Sequence, residues 1–266
     1  MSFRVLALAP ILLSAAQVAP LRRPLVADTT ESYISDLDLN LNADLPNGMG
    51  AQTLTLKSKL GYVLKTGVVD GRKAAATLTT TVKSYELGGS LAAFLPSPPE
   101  PVPTEQKGTI DDLNRLRVET PKVGDLAATI IATQINAVSA LLLELPEAAV
   151  AEGGEWDVTV PKGPFTGKED QILKAKWLGK ESIDGVETYR VSIVGPLKVE
   201  VDGAAFAGAN VTSKGSANVE SIANIDPKTG RTIKFAQKFT TSADVSASGL
   251  EAKVSGTGTL VTVLAK

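Results

Sequence analysis

The chain of 266 residues contains no cysteine and no histidine. Disulfides, thiolate nucleophiles, zinc sites with Cys or His ligands and imidazole general bases are therefore excluded. Aromatic residues make up only 5% of the sequence, which argues against a stacking platform for bases or sugars. The formal net charge is -2, so the chain has no basic field to hold a nucleic-acid backbone. We expect no nucleic-acid partner and no cofactor.

The sequence also lacks a long hydrophobic run. Its first residues, MSFRVLALAPILLSAAQ, hold one positive charge, a short apolar core from Val5 to Leu13 and then small residues. This pattern predicts a signal peptide over 1–16; a short buried helix opening a cytosolic domain is the alternative. The apolar core is too short to span a bilayer, so we expect no membrane span in the mature chain. The prediction is an exported protein, periplasmic or extracellular.

What the chain does have is alternation of apolar and polar residues. Leucine or alanine occupies every second position from Leu37 to Leu45, and the same period occurs over 54–64 and 173–177. Clean alternation is typical of antiparallel strands with one face in water. Asp-Gly pairs at 70–71, 184–185 and 202–203 predict tight hairpins between such strands.

One segment breaks this pattern and predicts a helix over 125–145. No charged residue occurs between Asp125 and Glu144, so we expect protein to enclose the helix. One face carries apolar residues at helical spacing: Ile131, Ile135, Val138, Leu142 and Leu145. The predicted fold class is mainly β (α+β), with a curved antiparallel sheet or half-barrel packed around this one long helix.

The predicted organisation after the signal peptide is a linker over 17–30 and a single β-rich domain over 31–266. Two related halves, 31–120 and 156–266, would be joined by the helix. The separation between the turns at Asp70 and Asp111 nearly equals that between Asp184 and Asp226. Chance recurrence of common turns is the alternative.

No catalytic or metal-binding constellation stands out. Asp36, Asp38 and Asn40 are spaced like calcium-loop ligands, but Leu41 and Asn47 stand where such a loop needs glycine and an acid. A solvated strand face is the preferred interpretation, with a weak surface cation site as the alternative. Adjacent acids point to opposite strand faces and form no obvious acid–base couple. A Ser–Lys pair is left open, and our prediction is that the protein is not an enzyme.

The junction after the predicted helix resembles a family. Leu145, Pro146, Val150, Gly153 and Trp156 precede a strand pair and the turn DPKTGR. This combination, over roughly residues 50–240, is similar to uncharacterised exported bacterial proteins and lipoproteins, which imply no activity and no catalytic residues. More distantly, and only at the level of the fold, a β-rich chain with one enclosed helix is similar to lipoprotein-carrier half-barrels, which hold acyl chains against a concave sheet.

These observations favour an exported, non-enzymatic binding or carrier protein with an apolar cleft for a hydrophobic small molecule or lipid. The predicted cleft residues are Ile131, Ile135, Val138, Leu142, Trp156 and Trp177. We also expect Trp156 to fasten the helix to the sheet, because burying an indole ring gives a large apolar contact. The alternative is a structural or adhesive cell-envelope protein without a small ligand, and a carboxylate hydrolase ranks last. The sequence leaves the oligomeric state open.

Overall fold

A computed structural model gives the fold, and it describes residues 20–46, 50–94, 103–119, 141–162, 166, 169–206, 209–247 and 250–265. These residues form eleven strands and one short 3-10 helix, Ser90–Phe94. The strands are β1 Thr29–Leu45, β2 Gly50–Asp70, β3 Lys73–Gly88, β4 Thr104–Asp111, β5 Arg117–Val118, β6 Glu155–Val160, β7 Gln171–Ile183, β8 Val186–Phe206, β9 Ala209–Ile225, β10 Thr232–Ala247 and β11 Leu250–Leu264.

All eleven strands belong to one antiparallel sheet with the order β5-β4-β3-β2-β1-β11-β10-β9-β8-β7-β6. The chain starts in the middle at β1 and winds outward to the edge strand β5. It resumes at the opposite edge, β6, and winds back to β11. The first and last strands, β1 and β11, therefore pair side by side, from Tyr33 opposite Leu264 to Asp44 opposite Lys253.

The tight turns follow the local sequence. Gly71, Asp184 and Gly185 have positive φ and connect β2 to β3 and β7 to β8, so these two predicted hairpins are confirmed. Asn114, with φ of 63°, takes the left-handed position between β4 and β5. The predicted hairpin at 202–203 is wrong: these residues lie inside β8, where the pairing with β9 merely shifts register.

The inward-facing side chains form two hydrophobic cores. The larger core contains Leu37, Leu56, Leu113, Leu143, Leu145, Val158, Val160, Leu173, Ala175, Val191, Ile193, Leu197, Val219, Ala223, Ile225, Phe235 and Leu260. The smaller core contains Tyr33, Leu60, Tyr62, Leu64, Ala74, Ala76, Leu78, Ile110, Leu116, Leu141 and Leu142. Because strands as far apart in the sheet as β2 and β6 share the larger core, the sheet must curve around it.

The predicted α+β fold class, with a curved sheet or half-barrel packed around one long helix, is wrong. The described residues are 74% strand and 3% helical, and they form one large open antiparallel sheet. The alternating pattern runs through long strands that satisfy each other's backbone groups edge to edge, and the curvature of the sheet brings their apolar faces together. The predicted helix over 125–145 lies outside the described residues except for Leu141–Leu145, and Leu142–Leu145 are not helical.

Candidate functional site

The segment Leu141–Glu147, which we call the bridging segment, lies between the two halves of the sheet. Leu141 and Leu142 belong to the smaller core, whereas Leu143 and Leu145 belong to the larger one. The Leu145 amide donates to the Leu113 carbonyl at 2.9 Å, and the Leu143 amide donates to Thr232 Oγ1 at 3.2 Å. One short stretch of backbone is thereby fixed to the β4–β5 turn and to β10.

Glu144 joins the bridging segment to both edges of the sheet. Its Oε1 accepts from Arg115 Nε at 2.5 Å, beside β5. Its Oε2 accepts from the Thr159 amide at 2.7 Å, on the free side of β6. Its backbone carbonyl accepts from Trp156 Nε1 at 2.9 Å. Trp156 thus fastens the bridging segment to β6, whereas the helix that we expected it to fasten lies outside the described residues apart from its last five positions.

A buried ion cluster lies at the end of the sheet where the β9–β10 turn is. Arg23 pairs with the Glu31 carboxylate, which also accepts from Tyr33 Oη at 2.8 Å and Arg231 Nε at 2.7 Å. Burial alone would raise the pKa of Glu31, but the hydrogen bonds and charges of these partners outweigh it and hold that pKa below its usual value. Because every partner stabilises the carboxylate, the cluster acts as a fixed anchor for the N-terminal segment.

Three of the six predicted cleft residues, Ile131, Ile135 and Val138, lie outside the described residues. Leu142 is buried in the smaller core. Trp156 and Trp177 lie together around a cavity of about 20 Å³. That volume suits one water molecule at most, whereas small-molecule pockets span roughly 300–1,000 Å³. The structure thus brings the two tryptophans together, but neighbouring side chains fill the space between them, and Tyr189 stacks on Trp177 at 4.3 Å.

Further along the strands, the inward face stays apolar but becomes only half-buried. We call this surface the inner wall, and it consists of Leu39, Leu41, Leu54, Tyr85, Leu87 and Phe239. The Phe239 ring lies across Gly258 on the neighbouring strand, because a Cβ added to Gly258 would stand 2.2 Å from Phe239 Cζ. Glycine at 258 is therefore what allows the aromatic ring to lie flat against the wall.

Tyr85 is the one polar side chain of the inner wall, and its hydroxyl is buried with no hydrogen-bond partner in the described part of the chain. Burial raises the pKa of Tyr85, so the hydroxyl is a neutral donor at physiological pH. Sequence reasoning missed this residue because of a β-bulge. Val82 and Tyr85 both face inward, opposite Leu60 and Ser58, although alternation would place them on opposite faces.

The outward face of the sheet is polar and carries two grooves. One has a volume of about 840 Å³ at the far ends of the strands, beside Asp44, Asp244 and Lys253. The other has a volume of about 320 Å³ beside Asp36 and Lys59. Their charged borders do not suit a hydrophobic ligand. Within the described residues, no group of acidic side chains is placed to hold a metal ion.

No helix within the described ranges has the length and apolar character needed to cross a bilayer. No protein-family model and no curated protein sequence matches the chain. The predicted resemblance to exported bacterial proteins, and the predicted export itself, therefore stay predictions.

Among solved structures, the chain is similar to Pseudomonas aeruginosa OpdQ at 8% identity and a TM-score of 0.29, covering 89% of this chain and 99% of OpdQ. A porin from Rh. blastica has 9% identity and a TM-score of 0.22, with 88% and 99% of the two chains covered. A DUF1329 family protein from Desulfovibrio piger has 10% identity and a TM-score of 0.13, with 90% and 85% covered. Similarities this weak carry no argument about function.

Proposed function

We propose that the protein is an exported, non-enzymatic binding or carrier protein that holds a hydrophobic ligand against the inner wall. The observation that carries the proposal is the buried hydroxyl of Tyr85. It lies among apolar side chains and has no hydrogen-bond partner among the described residues. A buried hydroxyl without a hydrogen bond costs free energy, and a ligand oxygen that accepts a hydrogen bond from it would recover that cost.

The chemistry of the inner wall defines the ligand class. Leu39, Leu87 and Phe239 offer half-buried apolar contacts around the larger core, and Tyr85 offers one hydrogen-bond donor. Such a surface matches a ligand with an aliphatic chain and one oxygen acceptor, for example a fatty acid. The predicted cleft at Leu142, Trp156 and Trp177 stays a prediction, and the proposal locates the ligand on the inner wall instead.

A non-enzymatic role is supported by the residue types available and by their pairing. The sequence has no His or Cys to activate a nucleophile. The enclosed carboxylates Glu31 and Glu144 both accept hydrogen bonds from arginine and lie away from the inner wall. Carboxylates held in this way are structural acceptors rather than free acids or bases.

Native mass spectrometry of the protein purified under mild conditions, and titration with a fluorescent fatty acid, test the proposal. We expect bound lipid and saturable binding. The Tyr85→Phe variant should bind the probe about 5–10-fold more weakly, since one hydrogen bond is worth about 1 kcal/mol. The same variant without ligand should be as stable as the wild type or more so, because it removes an unsatisfied buried hydroxyl.

Tyr189→Phe is the matched control, because it removes a tyrosine hydroxyl beside Trp177 rather than on the inner wall. It should leave the affinity unchanged. No co-purified lipid together with no saturable uptake of the probe would overturn the proposal. Equal losses of affinity in both tyrosine variants would place the ligand elsewhere.

The second candidate is a structural or adhesive cell-envelope protein. The small volume of about 20 Å³ between the tryptophans, together with the polar and grooved outward face, favours this role. Co-sedimentation with insoluble cell-wall polysaccharide tests it, and a protein that stays in the supernatant at every polymer concentration would exclude it.

A further inference from the structure

Polar side chains lie on the inward face of the sheet at the border between the larger core and the inner wall. The positions directly opposite one another along this border are Tyr85, Ser58, Leu37, Leu260, Gln237 and Ser221. Directly opposite residues of antiparallel strands share one face, so Gln237 and Ser221 point inward with the buried Leu260. Gln237 is half-buried and Ser221 is buried. We call Tyr85, Gln237 and Ser221 the polar row.

The side chains of the polar row have no hydrogen-bond partner in the part of the chain that the structure describes. The Tyr85 hydroxyl is buried without one, and within the described ranges neither the Gln237 amide nor the Ser221 hydroxyl forms a hydrogen bond. Nearer the turns on the same face, by contrast, Thr262 and Ser35 bond to each other at 3.0 Å. Enclosed polar groups are normally paired, so three such groups in one row are what a bound ligand would leave behind.

The curvature of the sheet brings these side chains towards one another. The strands that carry Tyr85 and Gln237, β3 and β10, are separated by four strand spacings of about 4.8 Å, or roughly 19 Å along the sheet. Strands as far apart as β2 and β6 share one core on the inward side, so this face is concave and its long side chains converge. A tyrosine and a glutamine that point inward from the two sides can therefore contact one head group between them.

The inward face around the polar row is electrically neutral. From this row to the far ends of β1, β2, β3, β9, β10 and β11, every inward position is occupied by an uncharged residue. The lysines and acids of the same stretches lie on the outward face, where Lys59 pairs with Asp36. An ionised carboxylate bound inside would lose its hydration without gaining a counter-charge, so the surface favours a neutral ligand.

The polar row both donates and accepts hydrogen bonds. The neutral Tyr85 hydroxyl serves as a donor, whereas the Gln237 amide and the Ser221 hydroxyl each offer donors and acceptors. A carboxylate has acceptors only, so it would leave the side-chain carbonyl of Gln237 without a partner. An ester next to free hydroxyls supplies both kinds of group and carries no charge. That combination is found in a fatty acid esterified to glycerol.

From the polar row we propose that the ligand of the inner wall is a neutral acylglycerol, with its glycerol head at the polar row and its acyl chain along the wall. Tyr85 donates to the ester carbonyl, and Gln237 and Ser221 bind the free hydroxyls. From Leu37 to Leu45 the inward face extends for roughly 26 Å at about 3.3 Å per residue, which accommodates an extended acyl chain. The inference rests on the proposed function and narrows its ligand class.

Displacement of the bound fluorescent fatty acid at pH 8 tests the proposal on the full chain. Three unlabelled lipids with the same acyl chain compete with the probe: the fatty acid, its methyl ester and its monoacylglycerol. For the wild type we expect the monoacylglycerol to bind about tenfold more tightly than either of the others. The Gln237→Leu variant should bind the monoacylglycerol about 5–10-fold more weakly and the methyl ester equally well, because the methyl ester has no hydroxyl for Gln237 to bind.

Ser221→Ala is a smaller change in the polar row and should reduce the same preference if Gln237→Leu fails to fold. Ser216→Ala, at an exposed position of the same strand, is the matched control and should leave all three affinities unchanged. If the probe binds but the three lipids compete equally, or Gln237→Leu weakens the methyl ester as much as the monoacylglycerol, the acylglycerol is overturned while the proposed function stands. No saturable binding of the probe would overturn both.

Discussion

Glu31 is a buried carboxylate held by two arginines and a tyrosine hydroxyl. A buried charge is tolerated only when its partners compensate for the lost hydration. Here the partners come from the N-terminal segment, from β1 itself and from Arg231 after the β9–β10 turn. Asn114 extends the network by accepting from Arg23 at 3.4 Å and donating to the Gly230 carbonyl at 2.8 Å. The Asn114 side chain thus connects the β4–β5 turn, where it lies, to the N-terminal segment and to the β9–β10 turn.

The lowered pKa of Glu31 predicts how stability depends on pH. Above the usual carboxyl value of 4.5 the side chain is charged in both the folded and the unfolded chain, and its full stabilisation is present. As the pH falls below 4.5, the unfolded chain takes up the proton first, and the stabilisation is lost as the pH passes through the folded pKa. We expect the free energy of unfolding, measured by urea titration, to decrease over this range.

Glu31→Gln tests the contribution directly. It leaves Arg23 buried without its counter-charge, so the free energy of unfolding at pH 7 should fall by about 3–5 kcal/mol, and the acid dependence should become shallower. Glu187→Gln removes an exposed partner of Lys180 and should leave both quantities nearly unchanged. An unaltered acid dependence in Glu31→Gln would show that other groups govern the acid transition.

At the scale of elements, the two edge strands are held by the bridging segment through one carboxylate. We expect Glu144→Ala to destabilise the protein by about 2–3 kcal/mol, because it leaves the Thr159 amide without its acceptor and removes the half-buried acceptor of Arg115 Nε. Hydrogen exchange should become faster in β6 by a larger factor than in the central strands. Glu147→Ala is the matched control: Glu147 also pairs with Arg115, but its side chain is 74% exposed. Protected β6 amides in Glu144→Ala would mean that packing alone holds the edge.

The presence of strands, and the face that each turns to the core, could be predicted from the sequence, because alternation of apolar and polar residues indicates which residues face inward. Leu37, Leu39 and Leu41 share the inward face as predicted, and so do Leu60 and Leu64. The pattern could not reveal interruptions of the period. The bulge before Tyr85 moves that side chain to the inward face, and the register shift at Val201–Ala204 keeps an Asp-Gly pair inside a strand. At this position the continuous pairing of β8 with β9 outweighs the local preference of Asp-Gly for a turn.

The pairing order also lies beyond local pattern. Alternation does not encode which strand follows which, and β1 pairs with β11 although more than 200 residues separate Ser35 from Thr262, whose hydroxyls share a hydrogen bond of 3.0 Å. The candidate site could be predicted only in its general apolar character. Trp156 and Trp177 border one small cavity, and the predicted cleft around them stays a prediction. The unpaired hydroxyl of Tyr85 depends on tertiary packing that no single segment determines.

At the scale of the molecule, the strands of the two predicted halves, 31–120 and 156–266, belong to one continuous sheet. Leu37 and Leu56 of the first half lie in the larger core with residues of the second half, and β1 pairs with β11 along its length. Both tryptophans belong to the second half. Their fluorescence therefore reports on that half and on the bridging segment that Trp156 contacts, whereas far-UV circular dichroism reports on every strand.

The Leu78→Ala variant tests whether the two halves unfold together, because both tryptophans lie in the half that it leaves unchanged. Leu78 is 1% exposed in the smaller core, within the first half, so its truncation should cost about 2–5 kcal/mol. If the sheet unfolds as a unit, the denaturant midpoint measured by tryptophan fluorescence will fall together with the midpoint measured by circular dichroism. Val68→Ala, at a position exposed by 79%, controls for shortening a side chain in the same half. The opposite result is a fluorescence midpoint that stays at the wild-type value while the circular dichroism signal splits into two transitions. It would show that the halves unfold separately and that the β1–β11 pairing is too weak to couple them.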